Sequence, residues 1–328
     1  MADAPQRPAA PPAAGASAPP LPGGGAGAST GSDGAASACV LVKGAPLAAA
    51  IREQVRAAVA DSGLQPCLVN IVVGVQAASA SYLDAIDAAA AKVGIASRRV
   101  QLAAEASEAE ILAAIAREAA DPEVHGLMVQ TPLPAGVRLS RVAAAIPPHK
   151  DVDGLTLGSL GAVLAGERRH TAPCTAAAVA ELLASEPHLS PEGRDVVVVG
   201  RSLVVGRPLA AMLAAPLPGG QATVTLCHTR TADLAAHGRR ADILVVAAGV
   251  AGLLRPGHVR PGAIVVDVGT HPVERNGRWT LIGDVDPSVA SVAGFLTPVP
   301  GGVGPVTNAI LMRHVTAAAR PGYLPAAW

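Results

Sequence analysis

The chain has 328 residues, half of them apolar, and its 25 Lys plus Arg are matched by 25 Asp plus Glu. Zero formal net charge excludes a polyanion-binding class, so no nucleic-acid partner is expected. Small aliphatics rather than a membrane segment account for the positive mean hydropathy. The longest apolar run, Ile243 to Leu254, holds two glycines and falls short of the roughly 20 residues a span needs, so no membrane partner is expected.

Residues 1–38 are almost entirely Ala, Pro, Gly and Ser and read as a disordered tail, because they cannot bury enough apolar surface to offset chain entropy. Prolines from Pro5 to Pro22 interrupt any signal-peptide core. Cys39, Cys67, Cys174 and Cys227 show no C-x-x-C spacing, which favours a reducing, cytoplasmic setting over disulfides or zinc. No histidine cluster has metal-ligand spacing, so no metal is expected.

From Val40 strand-like and helix-like patterns alternate. Cys67 to Gly74 reads as a strand, Ala78 to Val93 as a helix, Ser97 to Leu102 as a strand, Glu105 to Ala120 as a helix and Gly126 to Gln130 as a strand. Pro147-Pro148 and the glycine-rich stretch from Asp153 to Gly166 read as a hinge. A second strand series follows at Asp195 to Gly200, Ala222 to Cys227, Asp242 to Ala247 and Ala263 to Asp267. These short apolar runs are of the kind buried on both faces, so right-handed βαβ units and a parallel sheet are predicted. Asn276-Gly277 between strand-like residues predicts a hairpin with a type I′ turn.

Gly200-Arg-Ser-Leu-Val-Val-Gly206-Arg-Pro208 follows the first strand of this second series. A glycine turn opening a helix lets backbone approach a phosphate, with free N–H groups at the helix start. Gly200, Arg201, Ser202 and Gly206 are therefore candidate cofactor contacts, and a tight turn that binds nothing is the alternative. The next strand ends in His228-Thr229-Arg230-Thr231 rather than in the carboxylate an NAD ribose wants. These cations and hydroxyls suit a 2′-phosphate, which favours NADP; a solvated Arg230 is the bland alternative. Thr270, beyond the fourth strand, completes the candidate cofactor set.

In order, the chain carries Tyr82 on a helix, Val129-Gln130-Thr-Pro-Leu-Pro134, Lys150-Asp-Val-Asp153-Gly154, Pro173-Cys-Thr175, the loop at Gly200, and Thr297-Pro-Val-Pro-Gly-Gly-Val-Gly-Pro-Val-Thr307. Together they resemble the bifunctional methylenetetrahydrofolate dehydrogenase/cyclohydrolase family from about Val40 to Arg320. The resemblance implies a two-domain α/β fold: an N-terminal α/β folate domain over residues 39–172, completed by a C-terminal helix over 305–328, and a Rossmann-like NADP-binding domain with a parallel sheet over 173–304. A cleft between the two would hold the substrate. It implies tetrahydrofolate one-carbon derivatives as substrates, hydride transfer to NADP, a cyclohydrolase step that opens the methenyl product, and a homodimer. It assigns Tyr82, Gln130 and Asp153 to catalysis and the pterin, and Pro300, Gly301, Gly302 and Pro305 to folate contact.

One family position departs. The pattern S-x-x-Y-V-x-x-K becomes Ser79-Ala-Ser-Tyr82-Leu-Asp-Ala-Ile86, so isoleucine stands where the family has lysine. Position 86 lies about 40° round the helix from Tyr82, whereas Lys92 lies about 280° round, and Asp84 and Asp87 project elsewhere. Leu155, Thr156 and Leu157 replace a phenylalanine, histidine and proline, Ala176 a proline, and His271 an asparagine. The reading is a dehydrogenase with weakened or lost cyclohydrolase activity; the alternative is a non-catalytic or repurposed paralogue that keeps nucleotide binding.

Overall fold

The computed structural model describes residues 38–74, 77–167, 171–275 and 278–320. The first half contains β1 (Val40–Leu41), α1 (Ala45–Ser62), β2 (Cys67–Val73), α2 (Ala77–Lys92), β3 (Ala96–Leu102), α3 (Glu108–Ala120), β4 (Gly126–Val129), α4 (Leu139–Ala144) and α5 (Leu157–Ala165). The second contains α6 (Cys174–Ala184), β5 (Asp195–Val199), α7 (Gly206–Ala214), β6 (Thr223–Cys227), α8 (Leu234–Gly238), β7 (Ile243–Val246), β8 (Ile264–Asp267), β9 (His271–Arg275), β10 (Arg278–Ile282), β11 (Phe295–Leu296) and α9 (Val303–Ala319).

Both parallel sheets follow from their apolar runs. β3, β2 and β4 form one sheet in that order, with β2 central and its middle residues all buried. Edge strand β3 is polar: its Arg99 pairs with Asp84 and Asp87 of α2, and Ser97 Oγ donates to Asp87 Oδ1 at 2.5 Å. α3 begins later than the sequence pattern suggests because Ser107 and Glu110 form a capping box, and the helix buries Ile111, Ala114 and Ile115 at helical spacing. The second sheet runs β1-β11-β8-β7-β5-β6, every pair parallel. β9 and β10 form the expected antiparallel hairpin, whose Asn276-Gly277 turn lies outside the described residues.

Three features differ from the sequence reading. Val40–Leu41, assigned above to the folate domain, is the edge strand of the second sheet, so the chain crosses from that half to the other between β1 and β2. Residues 157–165, read as part of a hinge, are helix α5; Thr156 caps it by accepting from Ser159 N at 3.2 Å. α9 is not an appendage of one half. It packs on α1 and α2 of the first half and on α6 of the second, and one hydrophobic cluster runs through both, from Leu68 and Ile86 to Val196 and Ile243.

The crossing depends on close backbone approach at Gly44. Its N–H donates to Gly301 O at 2.9 Å, and a Cβ there would lie 2.0 Å from Gly302 O. Gly44→Ala should therefore cost about 1–3 kcal/mol in urea unfolding through overpacking. Gly63→Ala is the control: its φ is +64° but its surroundings are open, so it should cost only about 1 kcal/mol. Equal costs at the two positions would contradict this packing.

Candidate active site

Tyr82 and Ile86 lie one turn apart on α2. Ile86 is fully buried in the shared core, whereas Tyr82 is 41% exposed. Burial around the phenol, then the Asp153 carboxyl and Cys174, raise the Tyr82 pKa. Asp84 and Asp87 are held on β3 by Arg99, away from this face.

The two aspartates of Lys150-Asp-Val-Asp-Gly do different work. Asp151 is saturated: Oδ1 accepts from Gly154 N at 2.9 Å and Leu155 N at 3.1 Å, and Oδ2 accepts from Thr156 N at 2.9 Å and Ser159 Oγ at 2.7 Å. Lys150 Nζ donates to Ala119 O and Asp121 O at 2.8 and 2.7 Å, so that amine closes the end of α3 rather than facing Tyr82. Asp153 is left to the site. Burial first, then the Asp151 charge, push its pKa to about 7, and the Cys174 thiol pulls it partly back. The cap of the following helix is Thr156, not Asp153.

Gly154 brings Cys174 to this aspartate. Its φ is +71°, and a Cβ would meet Ala172 C at 2.4 Å, so only glycine lets the Ala172–Cys174 backbone lie against it. Val152 O then accepts from Cys174 Sγ at 3.3 Å and from His314 Nδ1 of α9 at 3.0 Å. Burial, then Arg313, lower His314 to about 3, so it stays neutral and acts as a fixed donor. Parallel pairing of Asp151 with Leu127 runs this loop beside β4, toward the end where Gln130 sits. Gln130 is buried, and its Nε2 donates to Asn70 Oδ1 at 3.4 Å. The Pro-Gly loop connects β11 to α9: Gly302 N donates to Pro298 O at 2.8 Å, Pro300 is exposed, and Gly301 and Pro305 are half-buried.

On the other side, the chain winds outward from β5 first to β6 and then to β7, so the strand order switches there. Gly200 has φ +129°, and its Cβ would lie 2.1 Å from Ala247 O; a Cβ on Gly206 would lie 1.9 Å from Gly200 O. Two glycines thus let the start of α7 close on the end of β5, leaving Arg201 and Ser202 exposed, as a dinucleotide phosphate loop requires. At the end of β6, Thr231 Oγ1 accepts from His228 N at 2.8 Å and His228 Nδ1 from Arg230 N at 3.1 Å. That turn presents Thr229 and Arg230 to solvent, and the next acid, Asp233, is occupied in capping α8 through Ala236 N at 2.9 Å.

Sequence reasoning missed Asn70, His314 and a carboxylate network under Thr270. Asp267 accepts from Gly269, Asp284 and Val285 N–H groups, all at 3.0 Å. Asp284 accepts from Ala248 N at 2.6 Å and Gly249 N at 2.9 Å, and its Oδ1 lies 2.7 Å from His271 Nε2. The network fixes the loops after β7 and β8, with Thr270 exposed between them. Burial is the main cause that raises Asp267 to about 6. Asn70 did leave a signal: one amide in an otherwise apolar buried strand.

A doubly wound nucleotide sheet beside a smaller α/β half, with a carboxyl, a phenol and an amide on the first half, defines a two-domain dinucleotide-binding enzyme. Residues 42–153 match the tetrahydrofolate dehydrogenase/cyclohydrolase catalytic domain and residues 173–322 that family's NAD(P)-binding domain. The chain is 48% identical to the bifunctional protein FolD of Nocardia farcinica over 85% of this chain and 97% of that one. It aligns with the crystal structure of the bifunctional FolD enzyme of Campylobacter jejuni at TM-score 0.78 and 38% identity, covering 86% of this chain and 99% of that one. The Trypanosoma brucei enzyme, solved with NADP and an inhibitor, aligns at TM-score 0.79 and 35% identity over 86% and 97%. The chain belongs to the tetrahydrofolate dehydrogenase/cyclohydrolase family. Among the described residues no helix is long and apolar enough to cross a membrane, and no group of His, Cys, Asp or Glu is arranged to hold a metal ion.

The two buried carboxyls set a pH dependence. With folded pKa values of about 7 for Asp153 and about 6 for Asp267, each stabilises the fold fully below about pH 4, and that stability is lost as pH rises through 6 and 7. The melting temperature should fall from this source between about pH 4 and 7, and Asp153→Asn should flatten the upper part of the slope. An unchanged slope in the variant would contradict the assigned burial.

Proposed function

We propose that the chain is an NADP-dependent 5,10-methylenetetrahydrofolate dehydrogenase that releases its methenyl product with little or no hydrolysis. Ile86 carries the proposal: it is fully buried on the Tyr82 face of α2, where the family pattern has lysine. The names of the relatives support the dehydrogenase half, and the NADP complex of the Trypanosoma brucei enzyme supports the cofactor.

The chain's own contribution is grip and alignment, which is most of what hydride transfer asks of a protein. Asp153, ionised, offers two acceptor oxygens to the paired N–H donors of the pterin, and Tyr82 flanks the ring. Gln130 stands at the reacting bridge, and Pro300, Gly301, Gly302 and Pro305 line the folate from the head of α9. Gly200, Arg201, Ser202 and Gly206 hold the dinucleotide phosphates, His228, Thr229, Arg230 and Thr231 the 2′-phosphate, and Thr270 the nicotinamide end. NADP, when bound, supplies the hydride acceptor.

Hydrolysis asks for more. Water attacking the methenyl cation must lose a proton to a group at the bridge, and an isoleucine side chain neither takes nor gives one. Tyr82 does not substitute, because its surroundings raise the phenol pKa rather than lower it.

The test adds methenyltetrahydrofolate directly to the purified protein. The natural chain should leave its decay at the buffer rate. Ile86→Lys should accelerate hydrolysis, toward the hundred- to ten-thousand-fold (~10²–10⁴) typical of acid–base catalysis, while changing hydride transfer far less. Rapid hydrolysis by the natural chain would overturn the proposal.

A further inference from the structure

The buried layer beneath Ile86 contains a polar pair that the catalytic reading leaves half used. Asn70, at the centre of β2, is fully buried and stands in register with Met128 of β4. Alternation along the strands puts Leu68 and Asn70 of β2 on one face with Met128 and Gln130. Leu68 and Met128 share a cluster with Ile86, so the pair lies on the sheet face that α2 covers. Gln130 Nε2 donates to Asn70 Oδ1 at 3.4 Å, and among the described residues Asn70 Nδ2 has no hydrogen-bond partner. An amide with an unpaired donor in the middle of an apolar strand costs stability that valine or leucine would not, so packing does not account for it.

We infer that Asn70 is a positioning residue for Gln130. By taking the Gln130 amide N–H, Asn70 turns the Gln130 carbonyl oxygen toward the edge of β4 where the Asp153 loop runs. This inference rests on the dehydrogenase reading and adds the element that suits the site to a cationic product. In the reaction the methylene carbon gives up one hydrogen with both bonding electrons to the oxidised nicotinamide, and the N–C–N bridge is left as an amidinium cation. A carbonyl oxygen already aimed at the bridge stabilises that charge as it develops. An amide is also a poor base, so it does so without activating water. Two neutral amides over a hydrocarbon floor make the cation and then leave it intact.

The inference is tested by two readouts. First, in the ligand-free protein, the Gln130 side-chain N–H2 signals, assigned by their loss in Gln130→Ala, should exchange hydrogen slowly. In Asn70→Leu they should exchange faster by a factor of about ten or more, since exchange reports the opening of the hydrogen bond. Second, Asn70→Leu should lower kcat for hydride transfer by about 10- to 100-fold with little change in KM for the folate, as loss of an interaction made mainly in the transition state does. Asn70→Asp keeps the acceptor oxygen and should retain most of the rate. In a Gln130→Ala background Asn70→Leu should add nothing further, because the two act as one unit. If Asn70→Leu fails to fold, Asn70→Val carries the same comparisons. Unchanged exchange, or effects that simply add in the double variant, would overturn the inference. Failure of the natural chain to reduce NADP would instead overturn the dehydrogenase reading, since the exchange measurement needs no turnover.

Discussion

The rotation of α2 about its own axis is the constraint on which the site depends. One side of the helix is held to β3 by Arg99 between Asp84 and Asp87, and the other side is held by Ile86 and Ala90 in the core. With both sides fixed, Tyr82 is held within the electrostatic reach of Asp153 and Cys174, and the position one turn on is delivered to hydrocarbon. A charged amine at that position would have to be desolvated among aliphatic groups, which is costly without a partner. The chemistry of this face follows from its packing: the phenol keeps its proton, and no base stands one turn away.

The remaining site groups come from segments far apart in the chain, and close backbone approaches bring them together. Gly154 against Ala172 joins the Asp153 loop to Cys174, and Gly206 against Gly200 folds α7 onto the end of β5. Gly283 does the same for the carboxylate network, where a Cβ would fall 1.7 Å from Asp267 Oδ2. Within the Lys-Asp-Val-Asp-Gly element the division of labour is electrostatic. Asp151 spends its oxygens on four hydrogen bonds, and its charge helps to raise the Asp153 pKa.

Much of the fold was legible because the strands of both parallel sheets are short apolar runs between helical stretches, a pattern set by local composition. The tight turn from Gly200 to Gly206 was legible for a similar reason, since two glycines and a proline at fixed spacing announce their backbone requirement. What was not legible depends on distant partners. Val40–Leu41 is too short to carry a pattern, and only its pairing with Phe295–Leu296 makes it a strand. The stretch from Asp153 to Gly166 looked like a linker because glycines dilute it, yet Thr156 caps it and Ala162 and Val163 bury it as a helix. His314 sits in a helix buried on nearly every side, where no periodic face singles it out. Asn70 was visible as an oddity, but its meaning required Gln130 from another strand.

The most direct test is a single turnover of the natural chain with NADP and 5,10-methylenetetrahydrofolate, following NADPH and the methenyl chromophore together. The account predicts that the two rise mole for mole and that the methenyl signal then decays only as fast as it does in buffer. NADPH formed without methenyl accumulating would show that the cation is hydrolysed at the site, and would contradict the claim that the Tyr82 face of α2 lacks a working base.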